Sequence, residues 1–330
     1  MEKILKFGGT SCGSIESIQS VLAIIESNGK SSSDFAVVFS AMSGVTNHLL
    51  EAGTLAAQPK STVNTLIETI ETRHFDVIKH FIPVTGQSQV IAHVRTLVNE
   101  LRDVLKGINL IKEISPKTSD ALVSFGERLS TYLIFAILQQ KGLPVFYVDA
   151  REIIKTNSAF SQSEVDFAVT NPLISSYFEA NKGKIGLVTG FIASNTKGET
   201  TTLGRGGSDT TAVALAAALK ADTCEIYTDV DGIFTADPRI VKKAHPLKHI
   251  TYEEVLELSA NGAKVLHSRC VEYARRFKVP VHVRSSFSNK EGTWLISDNE
   301  RKPGMEQPII SGIAQDLGDA KVTIIGVPDK

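Results

Sequence analysis

Residues 3–15 read Lys-Ile-Leu-Lys-Phe-Gly-Gly-Thr-Ser-Cys-Gly-Ser-Ile. Ile4, Leu5 and Phe7 give a short apolar run of the kind a buried strand requires. Gly8 and Gly9 end that run, and from 15 to 26 the apolar residues return at helical spacing. Strand, glycine turn and helix in this order form half of a βαβ unit. The same alternation continues along the chain. Runs at 35–39, 145–148, 185–188, 224–227 and 281–283 read as buried strands, and 121–140, 209–219 and 252–277 read as helices, the last broken at Asn261-Gly262. Such alternation predicts an α/β fold with a mainly parallel sheet covered on both faces. Residues 55–118 contain no strand-like run. Val63, Leu66, Ile67 and Ile70, then Val94, Leu97, Leu101 and Leu105, keep a helical period on either side of Pro83 and Gly86, which predicts a helical hairpin inserted between strands.

In open α/β sheets ligands collect at the carboxyl ends of the strands, so the loops that leave strands carry the functional reading. The first is Gly8-Gly9-Thr10-Ser11 with Gly13. Its glycines let the backbone approach an anion and the next helix start points N–H groups at it, while Lys6 adds a full charge. An ordinary tight turn beside a solvated lysine explains the same residues, and the spacing matches neither a Walker A loop nor GxGxxG. The second is Thr200-Thr201-Thr202-Leu203-Gly204-Arg205-Gly206-Gly207-Ser208-Asp209, which enters an alanine-rich helix. Ser208 or Asp209 can cap that helix, but a cap does not account for three glycines around an arginine, a side chain suited to gripping a carboxylate bidentately. Asp209 near a phosphate needs a cation between them: a lysine, a substrate ammonium or Mg²⁺.

The third loop is Thr228-Asp229-Val230-Asp231-Gly232-Ile233-Phe234 through Arg239. The glycine position and the missing closing glutamate exclude an EF-hand, leaving turn or capping aspartates as the plain alternative. Ser40 to Asn47 supplies hydroxyls, including Thr46, where a helix begins. Glu127-Arg128 sits in an apolar helix, where a charged pair is exposed or used, exposure being the cheaper explanation. Lys264 is a further cation.

The 330 residues, 42% of them hydrophobic, suffice for a sizeable core. With 35 basic and 36 acidic side chains, no net field favours nucleic acid or an anionic membrane. The start enters a strand without a signal-like apolar segment, and no stretch reads as a membrane span, so a soluble, cytoplasmic protein is expected. Cys12, Cys224 and Cys270 are odd in number and far apart, against a disulfide framework or a cysteine metal site; no metal-ligating residues are predicted.

Taken in order, KFGGTS, GERLS, TTLGRGGSDTTA, YTDVDGIFTADPR and GAKVLH resemble the aspartate kinases of the amino acid kinase superfamily over residues 1–300. The resemblance implies a three-layer αβα sandwich around a mainly parallel sheet, with ATP and L-aspartate side by side at its carboxyl edge, Mg²⁺ as cofactor, and a homo-oligomer. It implies that Lys6, Gly8 and Gly9 hold the transferred phosphoryl group, with Ser40 and Thr46 along the substrate path. Glu127, Arg205 and Ser208 would bind aspartate. Thr228, Asp229, Phe234, Arg239 and Lys264 would hold the nucleotide, and Asp209 would orient the catalytic lysines, Lys6 and Lys264. Phe234 departs from a tyrosine also common there. Residues 1–300 are expected to form the catalytic domain, with the helical insertion at about 55–118. Residues 301–330 are expected to be a linker and the truncated start of an ACT regulatory domain, with strands at 309–314 and 322–327.

Overall fold

A computed structural model describes residues 1–59, 62–263, 266–300 and 312–315. Five strands run side by side and parallel through its centre: β1 (Lys3–Phe7), β2 (Phe35–Phe39), β3 (Val145–Val148), β5 (Ile185–Thr189) and β8 (Thr223–Thr228), the short β4 (Lys155–Thr156), β6 (Ile192–Asn195) and β7 (Thr200–Thr202) forming a separate small sheet. With β9 (His249–Thr251), β10 (Val281–Ser285) and β11 (Thr293–Ile296), the large sheet has the order β3-β5-β2-β1-β8-β10-β11-β9, antiparallel only between β10 and β11. The predicted mainly parallel sheet is therefore present, and the six strands predicted within residues 1–300 belong to it.

Side chains of β1 alternate between two cores. Leu5 and Phe7 join Val37 and Phe39 on one face, and Ile4 joins Val38, Cys224 and Ile226 on the other. Because both faces are buried, each strand reads as a continuous apolar run rather than an alternating one. The first face is covered by α1 (Ile15–Ser31), α2 (Val45–Ala56), α3 (Asn64–Phe81), α4 (Val84–Ile111), α5 (Pro116–Val123) and α6 (Phe125–Gln140). The second is covered by α7 (Ala150–Ile153), α8 (Phe167–Ala180), α9 (Gly207–Leu219), α10 (Tyr252–Ala260) and α11 (Ser268–Phe277). The result is the three-layer sandwich.

The helical hairpin is α3 and α4, with Pro83 as the N-cap of α4. Ile67, Ile70, Val77 and Ile78 of α3 and Val94, Leu97, Leu101 and Leu105 of α4 are buried in the shared core. Residues 121–140, read as one helix, are split at Ser124, whose hydroxyl donates to the Ala121 carbonyl as α5 ends and α6 begins. Pro116–Gln140 taken together has the length and apolarity of a membrane span, contrary to the sequence reading, but 78% of its apolar window is buried inside the protein. The 252–277 segment is broken where expected, α10 ending at Ala260 with Asn261 as its C-cap. Cys12, Cys224 and Cys270 are buried free thiols. Of the expected terminal strands, 322–327 lies outside the described residues. Residues 312–315 are not in a strand; Ile313 instead donates its N–H to the Thr235 carbonyl at 2.8 Å.

Candidate active site

Parallel pairing brings the predicted loops together. Phe7 is level with Phe39 and with Tyr227, and Phe39 with Thr189. The residues that follow, Gly8, Ser40, Gly190 and Thr228, therefore emerge along one carboxyl edge. A cleft of about 430 Å³ opens there, lined by Lys6, Gly9, Ser40, Thr46, Glu127, Phe191, Arg205, Ser208 and Asp209 among others.

Lys6 is the penultimate residue of β1, and α9 begins directly opposite. Lys6 Nζ lies 2.5 Å from Asp209 Oδ1, both side chains about a tenth exposed. A cation therefore does stand against the Asp209 carboxylate. The sequence reading put Ser208 or Asp209 at the cap of α9. Instead Gly206 is the N-cap, at φ +68, a left-handed conformation that glycine tolerates without strain. Ser208 and Asp209 lie inside the first turn, and no side chain caps the helix. The Gly207 N–H donates to the Gly204 carbonyl at 2.9 Å, so the N–H groups of Ser208 and Asp209 are the ones the first turn leaves open, with the positive end of the dipole behind them. Arg205 stands exposed on the preceding loop.

Gly190 is needed because α9 comes very close. A Cβ there would stand 2.7 Å from Ser208 Oγ and 2.8 Å from the Phe39 carbonyl oxygen. Gly190→Ala is expected to cost about 1–3 kcal/mol in urea unfolding through overpacking. An unchanged unfolding midpoint would mean that this approach is looser than described.

Glu127 overturns the exposure reading. Its residue is only 3% exposed, while Arg128 turns outward to Glu100 at 2.7 Å and stacks on Phe125. Glu127 Oε1 accepts the Ala41 N–H at 3.1 Å, and Oε2 has no hydrogen-bond partner. Burial pushes the carboxyl up to about 8, against the opposing pull of the Ala41 N–H. A buried carboxylate oxygen without a donor, on the wall of a cleft, is a place for a cationic or hydrogen-bonding ligand. Asp120, by contrast, is structurally satisfied: it accepts the N–H groups of Ser161 and Thr202 and the Thr202 hydroxyl, pinning β7 just before the Arg205 loop.

The third loop lies beside this cleft rather than in its lining. Thr228 is level with Ser285 on β10, and Ser286 donates its N–H to the Thr228 carbonyl at 2.9 Å while its hydroxyl meets Ser11 at 2.7 Å. The third loop is thereby joined to the glycine loop after β1. Asp229 is exposed just past β8, Phe234 is half-buried, and Arg239 is exposed and paired with Asp237 at 2.7 Å. Asp231 is engaged by Ser288 and Lys290. Lys264 lies outside the described residues. The structure also brings in Phe191, which the sequence reading passed over; it lines the cleft at φ +66 and accepts the Leu203 N–H at 2.9 Å through its carbonyl. Its signal was available, since Thr189-Gly190-Phe191 leaves a buried strand as the other loops do.

The chain is similar to known proteins in sequence and in fold. An aspartate kinase of Pseudomonas fluorescens (strain SBW25) is 38% identical over 327 residues, which cover 99% of this chain and 65% of that protein. An aspartokinase of Mycobacterium tuberculosis (strain ATCC 25618 / H37Rv) is 49% identical over 218 residues, 65% of this chain and 50% of that protein. The chain thus spans between half and about two thirds of the length of these curated relatives. The crystal structure of E. coli aspartokinase III in complex with aspartate and ADP (R-state) matches with a TM-score of 0.82 at 32% identity, covering 91% of this chain and 66% of that one. The sequence model of the Amino acid kinase family matches residues 1–285, a span that holds every loop of the cleft. With its sheet, its edge loops and this match in agreement, the chain belongs to the amino acid kinase family.

Proposed function

We propose that this chain carries the phosphoryl-transfer site of an aspartate kinase, moving the γ-phosphate of ATP to the β-carboxylate of L-aspartate. The observation that supports it most is the pairing, in one cleft, of a buried carboxylate with a free oxygen, Glu127, with an exposed arginine, Arg205. An amino acid presents an ammonium and a carboxylate to match. Glu127 takes the α-ammonium and Arg205 grips the α-carboxylate, with Ser208 at its side. The relatives' names and the aspartate and ADP of the E. coli complex favour the same reading.

Catalysis then needs alignment and charge neutralisation more than proton chemistry. The β-carboxylate, with a reference pKa near 4, is already ionised at neutral pH, so no general base is needed. Lys6 stabilises charge on the equatorial oxygens, Asp209 holds Lys6 in place, and the open start of α9 and the Gly8-Gly9 backbone cradle the phosphates. Thr228, Asp229, Phe234 and Arg239 hold the nucleotide from the adjoining loop, together with Lys264. Among the described residues no three His, Cys, Asp or Glu side chains gather into a metal site. Mg²⁺ would come with the nucleotide and would supply neutralisation of the phosphate charge, Asp209 being the carboxylate nearest to hand.

The test is an assay of the chain with MgATP and either aspartate, glutamate or acetylglutamate, with hydroxylamine trapping any acyl phosphate. Hydroxamate from aspartate alone is expected. Product from glutamate or acetylglutamate would assign a different amino acid kinase, and nucleotide binding without any product would make the cleft a sensor.

A further inference from the structure

The loop at 40–44 forms one wall of the cleft and is held at two ends. At the first end, α6 fixes it: Glu127 accepts the Ala41 N–H at 3.1 Å, and the Ser130 hydroxyl donates to the Ser40 carbonyl at 2.8 Å. At the other end the anchor comes from the helical hairpin. Arg73, midway along α3, donates from Nη1 to the Ser43 carbonyl at 2.8 Å and from Nη2 to the Gly13 carbonyl at 3.0 Å. One planar guanidinium thus spans the 40–44 loop and the glycine loop after β1, whose own direct link is the Ser43 N–H to the Gly9 carbonyl at 3.1 Å. The two loops are already close, since a Cβ on Gly13 would lie 3.1 Å from Ser43 Cβ. Arg73 has a stiff base, because Ile70, Val77 and Ile78 on the same helix are buried in the core. No carboxylate pairs with it among the described residues, so its charge stays uncancelled beside the cleft.

We propose that Arg73 is a positioning residue that sets the spacing between the glycine loop and the 40–44 loop, and with it the grip on the nucleotide's phosphates. This rests on the kinase reading of the cleft. The two carbonyls that Arg73 holds lie near the surface and turn to water if it is removed, so the fold loses little. The Gly8-Gly9 amides are then braced against the 40–44 loop by the single Ser43 N–H to Gly9 carbonyl bond, and their placement loosens. The amino-acid side of the cleft keeps its own anchor through α6 and is spared. A guanidinium is required because an ammonium reaches one carbonyl at a time.

The experiment compares wild type, Arg73→Met, Arg73→Lys and Arg73→Ala in the hydroxylamine assay, with ADP affinity measured separately by calorimetry. Arg73→Met is expected to raise the KM for MgATP about tenfold or more and lower kcat/KM by about 10–100-fold, the scale of a small misplacement in a site. The KM for aspartate should stay within about twofold of wild type and the melting temperature near it. Arg73→Lys should recover only part of the loss, and millimolar guanidinium, but not methylammonium, should partly restore Arg73→Ala. An unchanged KM for MgATP, or a joint rise in both KM values with a lowered melting temperature, overturns the assignment. If wild type makes no aspartyl phosphate, the kinase reading fails instead, and ADP affinity in the variants still decides the role of Arg73.

Discussion

Lys6→Met is expected to lower kcat by about 10²–10³-fold, the cost of removing one preorganised donor from developing charge. The reasoning starts from the ion pair at 2.5 Å with Asp209. A lysine that only neutralised Asp209 would matter for folding, whereas a lysine that Asp209 aims at the phosphoryl group matters for turnover. The two roles separate in a double variant. Lys6→Met alone leaves a carboxylate buried without its partner, which costs about 3–5 kcal/mol of stability. Adding Asp209→Asn removes the stranded charge and should recover most of that stability, measured by urea unfolding, while turnover stays low. Recovery of turnover in the double variant, or a single variant with near-normal kcat and only a changed KM, would show that Lys6 does not stabilise the transition state.

Much of this arrangement could be read before folding, for identifiable reasons. The six core strands announce themselves because both faces of the sheet are buried, so Phe35–Phe39 is apolar at every position. The small sheet does not, because Lys155–Thr156 and Thr200–Thr202 are two or three polar residues whose pairing rests on long-range contacts such as Thr156 with Thr201. Electrostatics asked for a lysine, an ammonium or Mg²⁺ should Asp209 face a phosphate, and the fold sets Lys6 against its carboxylate. For Glu127 the residues alone favoured exposure, the cheaper state for a charged pair in an apolar helix, and only the family resemblance put it in a site. Only the fold reveals that the pair divides, with Arg128 leaving for Glu100 while Glu127 turns into the cleft. Arg73 carried no signal at all: an arginine in an amphipathic helix looks solvated until two loops far away in sequence arrive at its guanidinium.

The division at Glu127 also predicts how the protein responds to pH. In the empty cleft burial raises this carboxyl from 4.5 to about 8, so at pH 7 it is mostly protonated, whereas the unfolded chain has already released that proton. Between these two values the unfolded state binds fewer protons than the folded one, and stability falls as pH rises. The contribution is fully present below about 4.5 and is lost by about 8. The melting temperature of the empty wild-type protein should therefore decline across this window relative to Glu127→Gln, which has no proton to lose. An ammonium placed against Oε2 favours the ionised form. Binding of aspartate at pH 7 should then release a proton, seen as a binding enthalpy that depends on the ionisation enthalpy of the buffer, and the KM for aspartate should fall as pH rises toward 8. Glu127→Gln should abolish both the release and the pH dependence and raise that KM by about 10²-fold, as expected when a charge-assisted bond worth about 2–3 kcal/mol is lost. Buffer-independent binding by the wild-type protein, with a KM indifferent to pH between 6 and 8, would place the ammonium elsewhere and leave Glu127 a buried acid that only braces Ala41.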